Sequence, residues 1–248
     1  MDRLIYLAMT GAREAQVAQS VTNHNLANAS TTGFKATLAG SMSVPLSGPG
    51  FAQARTYAMT AERGADATPG PMLATGRDLD VAIEGAGWIA VQAADGTEAY
   101  TRAGNLSVDA YGQLTADNGR PVLGNGGPIA IPPYETIQVG SDGTISIRPM
   151  GSEASGMAVV DRIKLVNPPQ SELTRGEDGL MHPASAGTET EADANVRMVS
   201  GTLEGSNVNV VTAMVEMIEQ ARNFEMHVKM MSTAEDNDRA STELLKLG

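Results

Sequence analysis

The chain has 248 residues, 42% of them hydrophobic, which is enough to build a real core in one large domain or two small ones. Seventeen basic residues against 29 acidic give a formal charge of -12, which removes the electrostatic attraction behind most nucleic-acid and anionic-membrane binding. With no cysteine there are no disulfides, no thiolate catalysis and no cysteine-based zinc site, a composition compatible with an oxidising compartment.

The two ends and the middle differ in kind. All twelve prolines lie between Pro45 and Pro183, together with 20 of the 27 glycines. Helix breakers are thus confined to the middle, which predicts long terminal helices flanking a turn-rich body, with the first and last segments belonging together. The start lacks a secretory pattern: Leu4 to Met9 is too short an apolar run, and Glu14 comes soon after. Export, if it occurs, is expected without a conventional cleaved signal. No segment approaches the roughly 18 apolar residues of a membrane span.

Along the N-terminal segment, Ile5, Ala8, Ala12, Ala15, Gln19, Thr22 and Leu26 fit a three-four stripe, while Leu7, Val17 and Val21 fall elsewhere. From Ala15 to Phe34 no Asp, Glu, Lys or Arg occurs. Small side chains there admit close neighbours, and Gln16, Gln19, Asn23 and Asn25 offer hydrogen bonds without the desolvation cost of a charge. Such a helix is built to be surrounded, and it is expected to order fully only on assembly. In Asn23 to Ala36, Asn28 can close the helix, Gly33 can take a backbone conformation other residues avoid, and Phe34 can anchor the connector beyond it.

Residues 31–76 read as an extended connector containing a few strands. Residues 77–206 read as a β-rich body of sandwich or barrel type. Leu79, Val81 and Ile83 alternate like a half-buried strand, Gly85-Ala86-Gly87 turns into Trp88 to Val91, and Asp95-Gly96, Tyr111-Gly112, Asn118-Gly119 and Asp142-Gly143 mark further turns. Strands are predicted near 129–131, 137–139 and 144–148, and a last one over Ile163 to Val166. The C-terminal helix is predicted from about 209 to 246, with Asn209 as its N-cap. Val210, Met214, Met217, Ala221, Phe224, Val228 and Met231 step by four and three, the spacing of a coiled-coil seam; packing within the chain would leave the same pattern. Val211 and Ile218 widen that stripe.

The chemistry-bearing residues form no constellation. His24, His182 and His227 are scattered and share no metal-ligand spacing. Asp95, Asp109, Asp117 and Asp142 could supply a carboxylate pair for glycoside hydrolysis, but turn formation accounts for most of them. Gly124-Asn125-Gly126-Gly127 lacks the helix and lysine of a phosphate loop and reads as a turn. Trp88 could stack a sugar, although its apolar strand favours core packing. The methionines of the last helix suit an adaptable protein contact. Catalytic, cofactor and metal residues are therefore expected to be absent.

Several segments match a family pattern. Asn25-Leu26-Ala27-Asn28, then Thr31-Thr32-Gly33-Phe34-Lys35, resembles the N-terminal signature of bacterial flagellar rod and hook proteins. Leu79 to Trp88, Tyr100 to Asn105, Asp109 to Leu114 and Asp178-Gly179-Leu180 resemble the family's β-domain, and Gly201 to Asn209 resembles the motif leading into its C-terminal helix. Met1 to Tyr6 and Ala221 to Met226 are closer to the proximal-rod branch than to the distal-rod branch. His24 departs from the pattern, standing where the family often has Asn.

This resemblance implies a mixed α and β fold, with long N- and C-terminal helices pairing as a coiled coil and the β-rich domain between them. Residues 1–30 and 207–248 would form a discontinuous assembly domain. It further implies helical polymerisation into the axle that crosses the periplasm, and passage through the flagellar type III export apparatus. The implied partners are copies of the chain and other rod proteins, with no nucleic acid and no membrane insertion. The implied subunit contacts are Asn25, Leu26, Asn28, Gly33 and Phe34 at the front, and Val210, Met214, Met217, Ala221, Phe224, Val228 and Met231 at the back. Two alternatives stay open: another axial protein, such as a distal-rod or hook-junction component, and a periplasmic glycan-binding or glycan-cleaving protein.

Overall fold

The computed structural model describes residues 2–45, 56–151, 156–185 and 190–246. Two helices bracket the chain, α1 (Asp2–Ala27) and α2 (Val210–Lys246), and β-structure fills the middle. The described residues divide into two units. One comprises those of 1–29, 37–63 and 208–248, the other those of 30–36 and 64–207.

In the first unit, α2 starts where the sequence provides a cap. Asn209 Oδ1 accepts hydrogen bonds from the amides of Val211 (3.0 Å) and Thr212 (3.1 Å), partners for first-turn donors that the helix itself cannot satisfy. With neither Gly nor Pro inside it, the helix then runs for 37 residues. At the other end of the unit, α1 stops at Asn28, whose side-chain amide donates back to the His24 carbonyl at 2.9 Å. Asn25 then ties α1 to the strand Thr37–Pro45: its Oδ1 accepts from the Thr37 amide (2.8 Å) and its Nδ2 donates to the Thr37 carbonyl (2.9 Å). That strand pairs with Thr56–Ala65, so much of the expected connector is regular sheet.

The two helices pack on each other. Thr22 meets Gln220 and Gly11 meets His227, so they run antiparallel.

The second unit contains a five-stranded antiparallel sheet in the spatial order Leu165–Val166, Trp88–Gln92, Glu98–Thr101, Met181–Pro183, Leu173–Arg175. A three-stranded sheet is made by Tyr134–Val139, Thr144–Pro149 and Ala158–Arg162. Smaller pairings close the rest: Arg197–Ser200 runs against Val81–Glu84, and Thr202–Glu204 against Met72–Ala74. Leu79, Val81, Ile83, Ile89, Leu106, Leu114, Ile129, Ile145, Ile147 and Ile163 lie in one core, while Tyr100, Val166 and Met181 lie in a second cluster.

Three expectations change. The strand at Val81–Glu84 is not half-buried, because Ala82 between Val81 and Ile83 is covered as well. The strand expected near 129–131 is displaced to Gly127–Pro128, with only a single bridge at Ala130. Ile163 to Val166 is not the last strand: Leu173–Arg175, Met181–Pro183, Arg197–Ser200 and Thr202–Glu204 come after it. Those four are three or four residues long and lack a run of alternating apolar residues, so periodicity could not reveal them.

Candidate assembly interface

The side chains of α1 conform to the stripe read from the sequence, except that Val21, which falls outside it, is buried as well. Ala8, Ala12 and Thr22 are buried, and Ile5, Ala15, Gln19 and Leu26 are half-buried. On α2 the inward row is Ala213, Met217, Gln220, His227, Met231 and Ala234, with Ala213 and Ala234 buried. This row also has four-three spacing, and of the stripe expected from sequence it contains Met217 and Met231, with Ala221 half-buried at its edge. The difference has a simple origin. The two rows share positions 217 and 231 and differ by one residue at the alternate positions, so at 3.6 residues per turn the stripe turns by roughly 50°, and α2 carries apolar residues on both rows. Hydrophobicity therefore could not say which row faces α1; the small residues did.

Most of the large apolar side chains of this unit point away from the seam, Ile5, Val21, Leu26, Met217 and Met231 being covered or half-covered. Tyr6, Leu7, Met9 and Val17 of α1 are exposed, as are Val210, Val211, Met214, Val215, Ile218, Met226, Val228 and Met230 of α2. Val211 is 72% exposed and Ile218 54%, against 1% for Ala8 in the seam. The helix pair is thus inverted relative to an ordinary amphipathic packing, with small and polar groups between the helices and large apolar groups on the outside. Exposure of so many large apolar side chains makes this face the candidate contact surface.

The remaining front residues occupy different places. Asn25 and Asn28 are half-buried in the hydrogen bonds already described, and Leu26 is half-buried on α1. Gly33 and Phe34 lie in the β-rich unit. Gly33 has φ +67°, a conformation that side chains disfavour, and its amide donates to the Glu204 carbonyl at 2.7 Å. A Cβ built there would lie 2.2 Å from the Arg102 carbonyl carbon. The Phe34 ring packs beneath the Arg175 guanidinium at 4.7 Å.

Beside them is a buried charge cluster that sequence reasoning missed. Glu204 is fully buried; its Oε1 accepts from Lys35 Nζ at 2.6 Å and from the Gly70 amide at 2.9 Å, and its Oε2 accepts from Arg102 Nη1 at 2.9 Å. Lys35 also donates to the Thr68 carbonyl at 2.8 Å, and Arg102 to that of Gly85 at 2.7 Å while stacking over Trp88. Burial pushes the Glu204 carboxyl up, but the Lys35 hydrogen bond, the Gly70 amide and the charges of Arg102 and Lys35 outweigh it, and its pKa ends below the ordinary value. Burial pulls the Lys35 ammonium below its usual value, its contact with Glu204 opposing. Close by, Asn207 Oδ1 accepts the Ala36 amide at 2.7 Å while its Nδ2 donates to the Asp66 and Thr68 carbonyls. The sequence motifs at Thr31 to Lys35, at Arg102 and at Gly201 to Asn209 therefore meet in one closed network. Glu and Lys 169 residues apart give no local signal, so only the tertiary structure could pair them.

The residues considered for chemistry are used structurally. Asp95 accepts from the Thr97 amide and hydroxyl, Asp109 from the Tyr111 and Gln113 amides, and Asp142 from the Thr144 amide and hydroxyl. These bonds to neighbouring residues hold the Asp95 and Asp142 carboxyls below their ordinary pKa. Gly124 to Gly127 forms a hairpin turn beside a groove of about 570 Å³, and Lys164 in that groove is paired with Glu98 at 2.7 Å. Trp88 packs against the second core cluster. Among the described residues no group of three His, Asp or Glu could hold a metal ion, and no helix is long and apolar enough to cross a membrane.

Comparison with known proteins agrees with the motifs. Three family profiles match successive parts of the chain: Flagella basal body rod protein over residues 5–35, Flagellar hook protein FlgE/F/G D1 domain over 82–147, and Flagellar basal body rod FlgEFG protein C-terminal over 199–244. The flagellar basal-body rod protein FlgF of Escherichia coli (strain K12) is 46% identical over 252 aligned positions covering all of both chains. FlgF of Salmonella typhimurium (strain LT2) is 44% identical, again covering all of both chains. The rod protein FlgG of Bacillus subtilis (strain 168) is 30% identical over 95% of this chain and 96% of its own length. The chain belongs to the family of flagellar basal-body rod proteins of the FlgF type.

Proposed function

We propose that this chain is a structural subunit of the flagellar basal-body rod, polymerising helically through its terminal helices into the axle that carries torque across the periplasm. The observation that carries this reading is the inverted helix pair. Large apolar residues cover the outside of α1 and α2, where they would be costly in an isolated subunit and would stabilise an assembly by about 2 kcal/mol for each side chain fully covered. The full-length likeness to FlgF proteins supports the same conclusion.

In this reading α1 and α2 pair as a coiled coil, residues 1–30 and 207–248 form the discontinuous assembly domain, 31–76 the connector and 77–206 the outer domain. Val210, Met214, Phe224 and Val228, exposed on α2, meet neighbouring subunits, while Met217, Ala221 and Met231 also serve the intramolecular pair. Asn25, Leu26, Asn28, Gly33 and Phe34 complete the contact set at the front. The assembly is heterologous and non-closing, so each contact repeats along the axle and no covalent bond is made or broken. The partners are further copies and other rod subunits, reached through the flagellar type III export apparatus.

The test is deletion from Glu235 onward. The β-rich unit is expected to remain soluble and folded, while rod assembly and swimming are lost. Normal swimming in that truncation, or release of cell-wall fragments by the intact purified protein, would overturn the reading.

A further inference from the structure

The seam between α1 and α2 raises a question of register. Small residues recur on both sides of it, with Ala8, Ala12, Ala15 and Ala18 along α1 and Ala213, Ala221 and Ala234 along α2, so sliding by one turn or one heptad would bring many similar surfaces together. Something else must choose the alignment.

Two polar contacts interrupt the repetition. Gly11, the single glycine of α1, faces the ring of His227, the single histidine of α2. A Cβ built on Gly11 would lie 2.3 Å from the ring's Cε1 and 2.7 Å from each ring nitrogen. Only a residue without a side chain leaves the ring its place. Sliding the helices by a turn would set the ring against Ala8 or Ala15, and by a heptad against Ala18, each of which carries the Cβ that Gly11 lacks. On the same seam, Gln220 Nε2 donates to Thr22 Oγ1 at 3.0 Å. Neither contact is an efficient source of stability. Gln220 Oε1 and His227 Nδ1 are buried without a hydrogen-bond partner among the described residues, and such burial costs free energy. A buried polar group that costs stability and has one fitting place on the facing helix is suited to specifying register.

We propose that Gly11 with His227, aided by Thr22 with Gln220, locks the axial register of α1 against α2. The register then determines which outward residues of the two helices line up into a common face. Tyr6, Leu7 and Met9 precede Gly11 on α1, and Met226, Val228 and Met230 bracket His227 on α2, so one slip misaligns all of them. The proposal rests on the reading of the helix pair as the assembly surface, and it makes Gly11 and His227 positioning residues.

The experiment uses the full chain in cells whose own copy is deleted. The chain has no cysteine, so Thr22→Cys with Gln220→Cys, which gives up the aiding contact and leaves Gly11 with His227 to hold the alignment, reports the register through a short bis-thiol crosslinker. A one-heptad slip moves the two sites apart by about 10 Å along the axis and out of its reach. Gly11→Val is expected to cut crosslinking at least several-fold and to abolish swimming, with Gly11→Ala intermediate. His227→Ala by itself removes the ring without adding bulk to α1, and it is expected to lower crosslinking as well. Trp88 fluorescence verifies that the β-rich unit is folded throughout. Unchanged crosslinking in Gly11→Val or in His227→Ala overturns the register lock. Lowered crosslinking and lost swimming together support it. Crosslinking that responds as expected while every variant swims normally leaves the lock standing and sinks the assembly reading instead.

Discussion

The helical unit and the β-rich unit solve opposite problems. The β-rich unit buries its large apolar residues, such as Ile89, Leu106, Ile145 and Ile163, and even its buried charges are matched: Glu204 faces two cations and a backbone amide. The helical unit does the reverse, burying Ala8, Ala12, Ala213 and Ala234 while exposing Leu7, Val211 and Ile218. One unit is finished within the subunit, and the other, in the proposed assembly, is finished by neighbours. Stability and assembly should therefore respond to different substitutions.

The largest stability effect is expected from Glu204→Ala. Lys35 and Arg102 would be left buried without their counter-charge, a loss of about 3–5 kcal/mol, read as a shift of the urea midpoint monitored by Trp88 fluorescence. An effect below about 1 kcal/mol would contradict the picture of a tightly matched cluster. Because the folded-state pKa of Glu204 lies below its ordinary value, its contribution is fully present above the usual glutamate range and is lost as pH falls through the depressed value. An acid titration of urea stability should show that loss, and Glu204→Gln should flatten it. Next in size, Gly33→Ala should cost about 1–3 kcal/mol in the same assay, since it combines a positive φ with a backbone clash against Arg102.

Asn209→Ala should cost about 1 kcal/mol, seen as lost helicity by circular dichroism with the Trp88 transition unmoved. The smallest change to the isolated subunit is expected from Ile218→Ala with Met214→Ala, within about 0.5 kcal/mol for each. Swimming in soft agar should nevertheless fall sharply. If these two substitutions destabilise the isolated protein as strongly as a core truncation, the contrast between the units is wrong.

How much of this could be read beforehand varies with the range of the interaction. The Asn209 cap, the four-three stripe of α1 and the Asp-centred turns involve residues within a few positions of one another, and each appears where its local pattern places it. The short strands at 173–175, 181–183, 197–200 and 202–204 did not, because pairing with distant partners rather than periodicity makes them strands.

By itself, then, the sequence determined the partition into helical ends and a turn-rich middle, the limits of α2 and the membership in the rod family, all of which are properties of local composition and motif. Two things were left to the tertiary structure. The first is which row of α2 faces α1, a choice made by small residues and one histidine-glycine contact where hydrophobicity was ambiguous between rows. The second is the union of Lys35, Arg102 and Glu204, because a buried charge selects its partner by proximity in space, which chain separation does not encode.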